Sequence, residues 1–243
     1  MMKKVIVFGN GRWAEFVSFC LTHDSSYEVA GYTVDAAFIR EPELFGVPVV
    51  PFDRVETVFP PAEYAMLVAV SYQGMNRLRE EKYLQAKAKG YPFINYISSK
   101  ALTWPGLAIG ENCLVFENAS LNPFIQIGNN VTIGAGVLIG HHTVVHDHCF
   151  IASGTIILGS VTVGPYCLVG PNVTIKEKIT IGRDCVIGAG VSILKDTQER
   201  GVYVGKAPEL LPKPSDSLRT WMSWPAKTPK SGKDADAGNS GGK

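Results

Sequence analysis

The sequence lacks an excess of charge of either sign and lacks long apolar runs. Its 243 residues include 23 basic and 22 acidic side chains, so the formal net charge is +1. Such a balance gives no electrostatic reason to expect nucleic acid or an anionic membrane as a partner. No apolar stretch approaches the ~20 residues of a membrane-spanning helix, and the short run after the first lysines meets a glycine turn. We therefore expect a cytoplasmic protein without nucleic-acid or membrane partners.

The five cysteines lack the spacing of a metal site or a disulfide framework. Four of them share one position of a repeat that has no interruption. From Ile109 to Ile193 an aliphatic residue recurs every six positions, fifteen times in succession, and the residue four positions after it is small or β-branched. We interpret the cysteines in this last position as small core residues: Cys113, Cys149, Cys167 and Cys185.

The period of six excludes a helix, whose apolar stripe recurs every 3.6 residues. Six residues fit one short strand and a corner, and three such sides close a triangular coil. Fifteen hexads therefore predict five coils of eighteen residues, a parallel β-helix whose hand the period alone leaves open. Residues eighteen apart stack at one corner, so His141, Gly159, Glu177 and Lys195 are predicted to form a column.

Residues 1–100 follow a different pattern, in which short apolar strands alternate with helices. This alternation predicts a small doubly wound α/β domain. Gly90 is the expected stop of the second helix. The predicted strands are KKVIVF, YEVAGYTVD, VPVV, AMLVAVS and FINYISS, and the predicted helices are RWAEFVSFCL and MNRLREEKYLQAKAKGY.

The turn after the first strand favours a phosphate ligand. Gly9 and Gly11 ahead of Ala14 form a shortened version of the glycine turn that points backbone N–H groups at phosphates. Asp35 ends the second strand, where an acidic residue takes a ribose hydroxyl. A tight turn without any ligand has the same pattern. Because the domain is short for a dinucleotide, a nucleotide-sugar fits it better than NAD.

Four of the five histidines lie in LIGHHTVVHDHC, at positions 141, 142, 146 and 148. Six residues of strand and corner span ~15–20 Å, so the four cannot close on one ion within a chain. We expect two exposed sites and no metal site in a single chain. A zinc site between subunits stays open, since His141 and His146 resemble paired ligands of gamma-class carbonic anhydrases, which need a third histidine.

The hexads resemble the hexapeptide repeat of left-handed β-helix acyltransferases, over about 105–196. The histidine segment is similar to that of bacterial nucleotide-sugar acetyltransferases, the sialic-acid O-acetyltransferases and bacillosamine-pathway N-acetyltransferases. Those proteins join a small nucleotide-binding α/β domain to a left-handed β-helix, in the same order as here. Their EHDC, GDHxHI and GGVTVG segments correspond to GHHT, HDHCFI and GSVTVG, which places the catalytic histidine at His141.

The resemblance implies an acetyl-CoA-dependent homotrimer in which His141 is the general base, since imidazole is largely unprotonated yet basic at neutral pH. Acetyl-CoA is the expected co-substrate and a nucleotide-sugar the expected acceptor, in surface-glycan or lipopolysaccharide biosynthesis. The residues expected to bind acetyl-CoA are Gly159, Ala189, Lys195 and Lys206; those expected to bind the nucleotide-sugar are Gly9, Gly11, Arg12, Asp35 and Ser71.

The sequence departs from that family at two places. Gly140 replaces the glutamate before the catalytic histidine, so another group must orient the imidazole, and His142, Asp147 or a neighbouring subunit are the candidates. Phe150 replaces a later histidine, which removes a polar contact expected near the acetyl group. We take His146 and His148 as surface or supporting residues.

Several hypotheses about the function remain open. We expect N-acetylation of a nucleotide-linked amino sugar; the alternatives are O-acetylation, a non-catalytic nucleotide-sugar-binding trimer and a gamma-carbonic-anhydrase-like metal lyase. The expected organisation is an α/β domain over 1–100, a left-handed β-helix over 101–196, a cap over 197–224 and a disordered tail over 225–243.

Overall fold

The computed structural model describes residues 3–207 and residue 210, and one compact unit extends to Gly205. The predicted tail over 225–243 and most of the predicted cap over 197–224 lie outside the described residues. Within the described part, the two longest helices have twelve residues each, and no helix is long and apolar enough to cross a membrane.

The first part of the chain forms the predicted α/β domain. Its sheet has the order β3-β4-β2-β1-β5 and is parallel except for β3 against β4. Gly90, with φ of +86°, follows the last helix and confirms the predicted stop. The strands are β1 (Lys3–Phe8), β2 (Tyr27–Val34), β3 (Glu43–Leu44), β4 (Val47–Pro51) and β5 (Ala65–Val68), and the helices are α1 (Arg12–His23), α2 (Val55–Val58) and α3 (Arg77–Ala88).

The FINYISS segment joins the two parts of the chain. Phe93 forms a single parallel bridge with Met66 of β5, and three residues later the chain forms β6 (Tyr96–Ile97), which belongs to the β-helix. The segment predicted as a last strand of the α/β domain therefore starts at one sheet and ends in another. This shared segment gives the two parts a continuous backbone connection.

The repeat region folds as a triangular parallel β-helix with three sheets, here called faces I, II and III. Face I contains β7 (Ala108–Ile109), β10 (Gln126–Ile127), β13 (Val144–Val145), β16 (Thr162–Val163) and β19 (Thr180–Ile181). Face II contains β6, β8 (Leu114–Val115), β11 (Thr132–Ile133), β14 (Phe150–Ile151), β17 (Leu168–Val169), β20 (Val186–Ile187) and β22 (Val202–Tyr203). Face III contains β9 (Ser120–Leu121), β12 (Leu138–Ile139), β15 (Ile156–Ile157), β18 (Thr174–Ile175) and β21 (Ser192–Ile193).

The six-residue period corresponds to these strands one for one. Each strand from β7 to β21 ends on one of the fifteen repeating aliphatic residues, and all of these except the half-buried Ile109 are buried. Partners on one face are eighteen residues apart, as in Ile133 beside Ile151. Strand β22 pairs with β20, so the chain after the last hexad adds one more strand to face II.

Helix α3 lies along the corner between faces I and II. The corner residues eighteen apart there all have positive φ, and each contacts α3 or the end of β5: Asn112, Asn130, His148, Tyr166 and Asp184. Arg79 of α3 is buried and donates to the carbonyls of Asn112 and Asn130 at 2.8 Å each. Burial lowers the pKa of Arg79 to about 10. The α/β domain is thus fastened to one edge of the β-helix.

Candidate active site

The four clustered histidines occupy three different places on the β-helix. His141 and His142 are exposed at the corner between faces III and I, and His146 is exposed directly after β13. His148 lies at the corner between faces I and II. Among residues 3–207 no group of three or more histidine, cysteine or acidic side chains could hold a metal ion.

The expectation that His148 is exposed is wrong, because α3 covers it. Its ring stacks on Tyr166 with centroids 5.0 Å apart, and its Nδ1 accepts from the Asn130 amide at 3.0 Å. Burial lowers the pKa of His148, against the opposing effect of Glu80, whose carboxylate lies 3.6 Å from Nε2. The sequence placed His148 at a corner but could not show that a helix of the other domain covers this corner.

His141 and His142 form a pair at their exposed corner. Their Nδ1 atoms are 3.1 Å apart, so one ring donates and the other accepts. The His142 ring packs against Phe124 from the preceding coil, with centroids 4.8 Å apart. When His141 donates through Nδ1, its Nε2 carries a lone pair and can act as a base. Of the two candidates for orienting His141 in this chain, the structure brings His142 to it.

Asp147 is engaged elsewhere in the chain. Its Oδ1 accepts from the backbone N–H of Asn129 at 2.7 Å, at the corner between faces I and II. This corner is not the one that carries His141. The carboxylate of Asp147 therefore caps a turn of the preceding coil.

The predicted column under His141 is present. The His141 carbonyl accepts from the backbone of Ser160 at 2.8 Å, and its ring lies against Gly159. A Cβ at position 159 would lie 2.8 Å from Cε1 of His141. Glycine at this position therefore lets the imidazole lie close against the next coil.

The residues predicted to bind acetyl-CoA fall on two corners. Lys195 is exposed at the corner between faces III and I, in the column of His141 and Gly159, and the exposed Glu177 lies between them. Ala189 is exposed at the corner between faces II and III. Lys206 is exposed and follows the compact unit that ends at Gly205.

The residues predicted to bind the nucleotide-sugar line one cavity, here called the nucleotide cavity. It measures about 450 Å³ and lies where β1, β2 and β5 end. Gly9 has φ of +130°, and a Cβ there would lie 2.8 Å from the Ala69 carbonyl oxygen, so only glycine fits this turn. The predicted residues on its wall are Gly9, Gly11, Arg12, Asp35 and Ser71.

Lys82 of α3 also lines the nucleotide cavity, and sequence reasoning missed it. Its Nζ lies 2.8 Å from the Asp35 carboxylate. Burial opposes its charge, but hydrogen bonds with Asp35 and Glu81 raise the pKa of Lys82. With Arg12 and Arg40 on the same wall, the cavity has a cationic lining suited to phosphates. In the sequence Lys82 was one of several charges on a helix, without a signal that it pointed inward.

Residues 108–141, 142–177 and 165–195 match the family description "bacterial transferase hexapeptide (six repeats)". The part of the β-helix from β7 to β21 thus matches bacterial transferase hexapeptide repeats. No curated protein sequence matches the chain. The hexapeptide repeats account for about a third of the chain, and the α/β domain lies outside them.

Solved structures resemble both the α/β domain and the hexapeptide repeats. The acetyltransferase domain of PglB from Neisseria gonorrhoeae is 20% identical with a TM-score of 0.71, over 82% of this chain and 95% of that one. A variant of perosamine N-acetyltransferase from Caulobacter crescentus, in complex with CoA and GDP-perosamine, is 23% identical with a TM-score of 0.69, over 83% and 92%. WeeI from Acinetobacter baumannii is 19% identical with a TM-score of 0.69, over 83% and 96%.

Because these structures are only 19–23% identical to the chain, their similarity shows a shared fold. The prediction of an α/β domain followed by a left-handed parallel β-helix is confirmed. The period of six left the hand of the β-helix open. The left-handed sense, which was predicted from the resemblance to acyltransferases, agrees with the solved structures of the same fold.

Proposed function

We propose that this protein is an acetyl-CoA-dependent acetyltransferase whose acceptor is a nucleotide-linked amino sugar. The observation that carries the proposal is the combination in one chain of a glycine-turn nucleotide cavity and an exposed histidine pair on a hexapeptide β-helix. Structures of the same fold were solved with CoA and GDP-perosamine or with acetyl-CoA. N-acetylation is the favoured reaction, because the perosamine enzyme is an N-acetyltransferase.

The proposed chemistry uses His141 as the general base. The sugar amine attacks the thioester carbonyl, forming a C–N bond, while Nε2 of His141 takes its proton. The tetrahedral intermediate then breaks its C–S bond, and the CoA thiolate leaves and takes up a proton. In the proposed tautomer, Nδ1 of His141 donates to Nδ1 of His142, which holds the ring and leaves Nε2 of His141 free to act as the base. Asp147 of the same chain lies at the corner between faces I and II, away from His141, so it stays a candidate for this role only from a neighbouring copy.

Acetyl-CoA is proposed to bind beside His141. Gly159 allows close approach to the imidazole, and Lys195 in the same column offers a cation to the phosphates. Ala189, at another corner, would reach this groove from a neighbouring copy, and Lys206 is a further candidate for the phosphates. Gly9, Gly11, Arg12, Asp35 and Ser71 would hold the nucleotide-sugar.

A homotrimer is proposed because the two halves of the site lie on opposite sides of one chain. The α/β domain packs on face II and on the corner between faces I and II, whereas His141 lies at the corner between faces III and I. Large aliphatic side chains are exposed along that region, including Ile156, Leu158 and Leu194. A ring of three copies brings His141 of one copy to the cavity of the next.

The cellular setting is also a proposal. We place the reaction in the cytoplasm and in the biosynthesis of a surface glycan such as lipopolysaccharide. The support is the resemblance to nucleotide-sugar acetyltransferases of such pathways, together with the structural neighbours described above.

A thiol-release assay tests the proposed function. The protein is incubated with acetyl-CoA and a panel of UDP-, GDP- and dTDP-linked amino sugars, and free CoA is measured. His141→Asn should lower the rate about 10²–10⁴-fold, the usual contribution of a positioned base. His146→Asn is the matched control, because His146 is also exposed on the β-helix and contributes no base in this proposal.

Two results would contradict the proposed function. Thiol release that is unchanged in His141→Asn would remove His141 from the mechanism. If nucleotide-sugars stabilised the protein but none of them caused release of free CoA from acetyl-CoA, a non-catalytic binding protein would be favoured. To separate N- from O-acetylation, each amino sugar is compared with the sugar that has a hydroxyl in place of the amine. Mass analysis then shows which of the two gains an acetyl group.

A further inference from the structure

Strand β5 is an edge strand of the α/β sheet, and the β-helix supplies a hydrogen bond to its outer side. The backbone N–H of Val68 donates to Oδ1 of Asn112 at 2.8 Å, and the Val68 carbonyl accepts from Nε of Arg79 at 3.2 Å. Backbone groups at the edge of a sheet are unpaired unless another group covers them. The last residue of β5 is therefore held by a side chain of the β-helix and by helix α3.

Asn112 is the first of three buried corner residues that are joined by side-chain hydrogen bonds. Its Nδ2 donates to Oδ1 of Asn130 at 2.7 Å, and Nδ2 of Asn130 donates to Nδ1 of His148 at 3.0 Å. We call these bonds, from Val68 to His148, the amide series. Because all three side chains are buried, any of these bonds that breaks leaves a polar group without a partner.

The amide series has a fixed direction. A backbone N–H can only donate, so Val68 requires the oxygen of Asn112, and the NH2 group of Asn112 then faces Asn130. In the same way Asn130 presents its NH2 group to His148, whose Nδ1 must accept. A proton on Nδ1 would place a donor at both ends of the series. Two amides between two donors satisfy only two of the three bonds, so the neutral ring with its proton on Nε2 is the form that satisfies all three.

The surroundings of His148 also keep its ring neutral at pH 7. Burial is the largest cause and lowers the pKa of His148, the neighbouring guanidinium groups lower it further, and the neighbouring carboxylates raise it. The charged or titratable groups that face the ring are Arg77, Arg79, Glu80 and Tyr83 of α3 and Asp147 and Tyr166 of the β-helix. His148 therefore becomes charged only in acid.

The other end of the amide series shapes the nucleotide cavity. Ala69 and Ser71, which follow Val68 in the chain, lie on the wall of this cavity. The Ala69 carbonyl packs so closely against Gly9 that no Cβ fits between them. A shift at the end of β5 thus displaces the glycine turn that is proposed to hold the phosphates.

Protonation of His148 affects the β5 end of the series more than its own end. A charged donor holds its acceptor more strongly than a neutral donor does. A protonated His148 therefore keeps a bond to the Asn130 amide, which turns its oxygen toward the ring. The bond that fails is then one of the two nearer to β5.

We infer that Asn112, Asn130 and His148 are positioning residues of the nucleotide cavity, and that nucleotide-sugars bind most tightly when His148 is neutral. Protonation of His148 releases the outer edge of β5 and weakens binding as the pH falls. Binding in turn releases a proton from His148, because the two equilibria are linked. The inference rests on the proposed function, since it takes the nucleotide cavity as the binding site. It adds a pH dependence and three residues that touch no substrate.

Calorimetric titrations of the full chain at pH 7.5 and pH 5.5 test the inference. The probes are UDP-glucose, GDP-mannose and dTDP-glucose, and the tightest binder is carried forward. Their phosphates are esterified at both ends, so they lack the terminal phosphate ionisation near pH 6. The wild-type protein should bind about tenfold more weakly at pH 5.5, the effect of one unpaired buried group. Titrations in buffers of different ionisation enthalpy should also show that binding releases protons.

His148→Asn separates this role from a purely structural one. Asparagine offers an acceptor oxygen close to the place of Nδ1, does not titrate, and already occupies this corner at positions 112 and 130. Its affinity at pH 7.5 should stay within about threefold of the wild type, and the weakening in acid and the proton release should both be lost. His146→Asn is the matched control, because this exposed histidine lies outside the amide series, and it should keep both. Thermal melts establish that each variant is folded.

Hydrogen exchange follows β5 directly in the unliganded wild-type protein. At pH 5.5 the Val68 amide should lose about tenfold in protection, measured against the intrinsic exchange rate at the same pH. The Ala69 amide, which donates to Phe8 within the sheet, is the internal control and should stay protected.

Three results would overturn the inference: equal affinity of the wild-type protein at the two pH values, unchanged weakening in His148→Asn, or equal protection of Val68 at both pH values. A protein that binds none of the three nucleotide-sugars would overturn the proposed function as well. That outcome is distinguishable, because the first two results require binding and the third is measured without a ligand.

Discussion

At the scale of single residues, one member of the histidine pair, His142, has a left-handed backbone conformation. His142 and Phe124 have φ of 58° and 65°, a left-handed conformation that is unfavourable for bulky side chains. Phe124 is also 74% exposed, and its described aromatic contact is the His142 ring. Glycine or asparagine would fit these corners with less strain. Ser160 and Lys178 of the same column also have positive φ, so this conformation belongs to the corners of the β-helix, and the case for His142 rests on its contact with His141.

His142→Ala should lower kcat about tenfold to a hundredfold and leave KM for the sugar nearly unchanged, because the base loses orientation and the substrate loses no contact. His142→Glu should restore most of kcat, since a carboxylate also accepts from Nδ1. An anion beside the imidazole favours its protonated form, so the acid side of the pH–rate profile should move to higher pH in this variant. If Glu restored no more activity than Ala, His142 would have no part in orienting His141.

The cysteines show how far a residue-level prediction from the sequence extends. Their repeat position predicted burial, and all four in the repeat are buried. The structure adds the reason for their type, since the Cys149 and Cys167 thiols each donate to the carbonyl fifteen residues later at 3.1 Å. Thr155 makes the same contact at 2.9 Å. The period of six thus predicted the core, whereas the corner carbonyls that need a donor become visible only in three dimensions.

At the scale of elements, the least predictable feature is the docking of α3. Its sequence is rich in charge, which is ordinarily typical of a solvent-exposed helix, yet Arg79, Lys82 and Tyr83 are buried. Their partners are the corner residues of successive coils and the end of β2. Such partners are distant in sequence and follow no local period. The elements themselves could therefore be predicted from the sequence, but their docking could not, and with it the burial of His148.

Arg79→Met should reduce the free energy of unfolding by about 2–5 kcal/mol, because three buried carbonyls and the Thr132 hydroxyl lose their donor. Urea denaturation measures the change. The matched control is Arg54→Met, an exposed arginine of the α/β domain, which should stay within about 0.5 kcal/mol of the wild type. Equal stability of the two variants would contradict the docking role of Arg79.

The end of α1 provides a prediction of pH dependence. Hydrogen bonds from Ser98 and Ser99, with a further one from Tyr96, lower the pKa of Asp24 from 3.8 to about 2. Because the folded state has the lower pKa, this interaction stabilises the protein fully above about pH 4, and the stabilisation is lost as the pH falls through about 2. These bonds tie α1 to the segment that enters the β-helix.

Asp24→Asn should therefore unfold at lower urea concentration than the wild type at pH 7, and the difference should narrow toward pH 2. Asp53→Asn, which changes an exposed aspartate, should show no such pH-dependent difference. A gap between Asp24→Asn and the wild type that stays constant across this range would mean that the Asp24 charge is not the source of the stability.

At the scale of the whole molecule, the proposed active site needs two copies of the chain. Face II carries the α/β domain with the nucleotide cavity, and the opposite corner carries His141. A rigid β-helix cannot bend to bring these together. The proposed reaction thus depends on a neighbouring copy. Contacts between copies follow no local sequence pattern, so this dependence could not be predicted from the residues alone.

Subunit complementation is the measurement that tests this claim most directly. His141→Asn lacks the base, and Arg12→Glu places an anion in the nucleotide cavity and weakens phosphate binding. Each variant alone should release thiol from acetyl-CoA at least about 10²-fold more slowly than the wild type. The two variants, carrying different affinity tags, are co-expressed and purified as mixed oligomers. If each site combines His141 of one copy with the cavity of another, one of the three sites in each mixed trimer should be intact and active, about a third of the wild-type number. Mixed oligomers without activity would contradict the account.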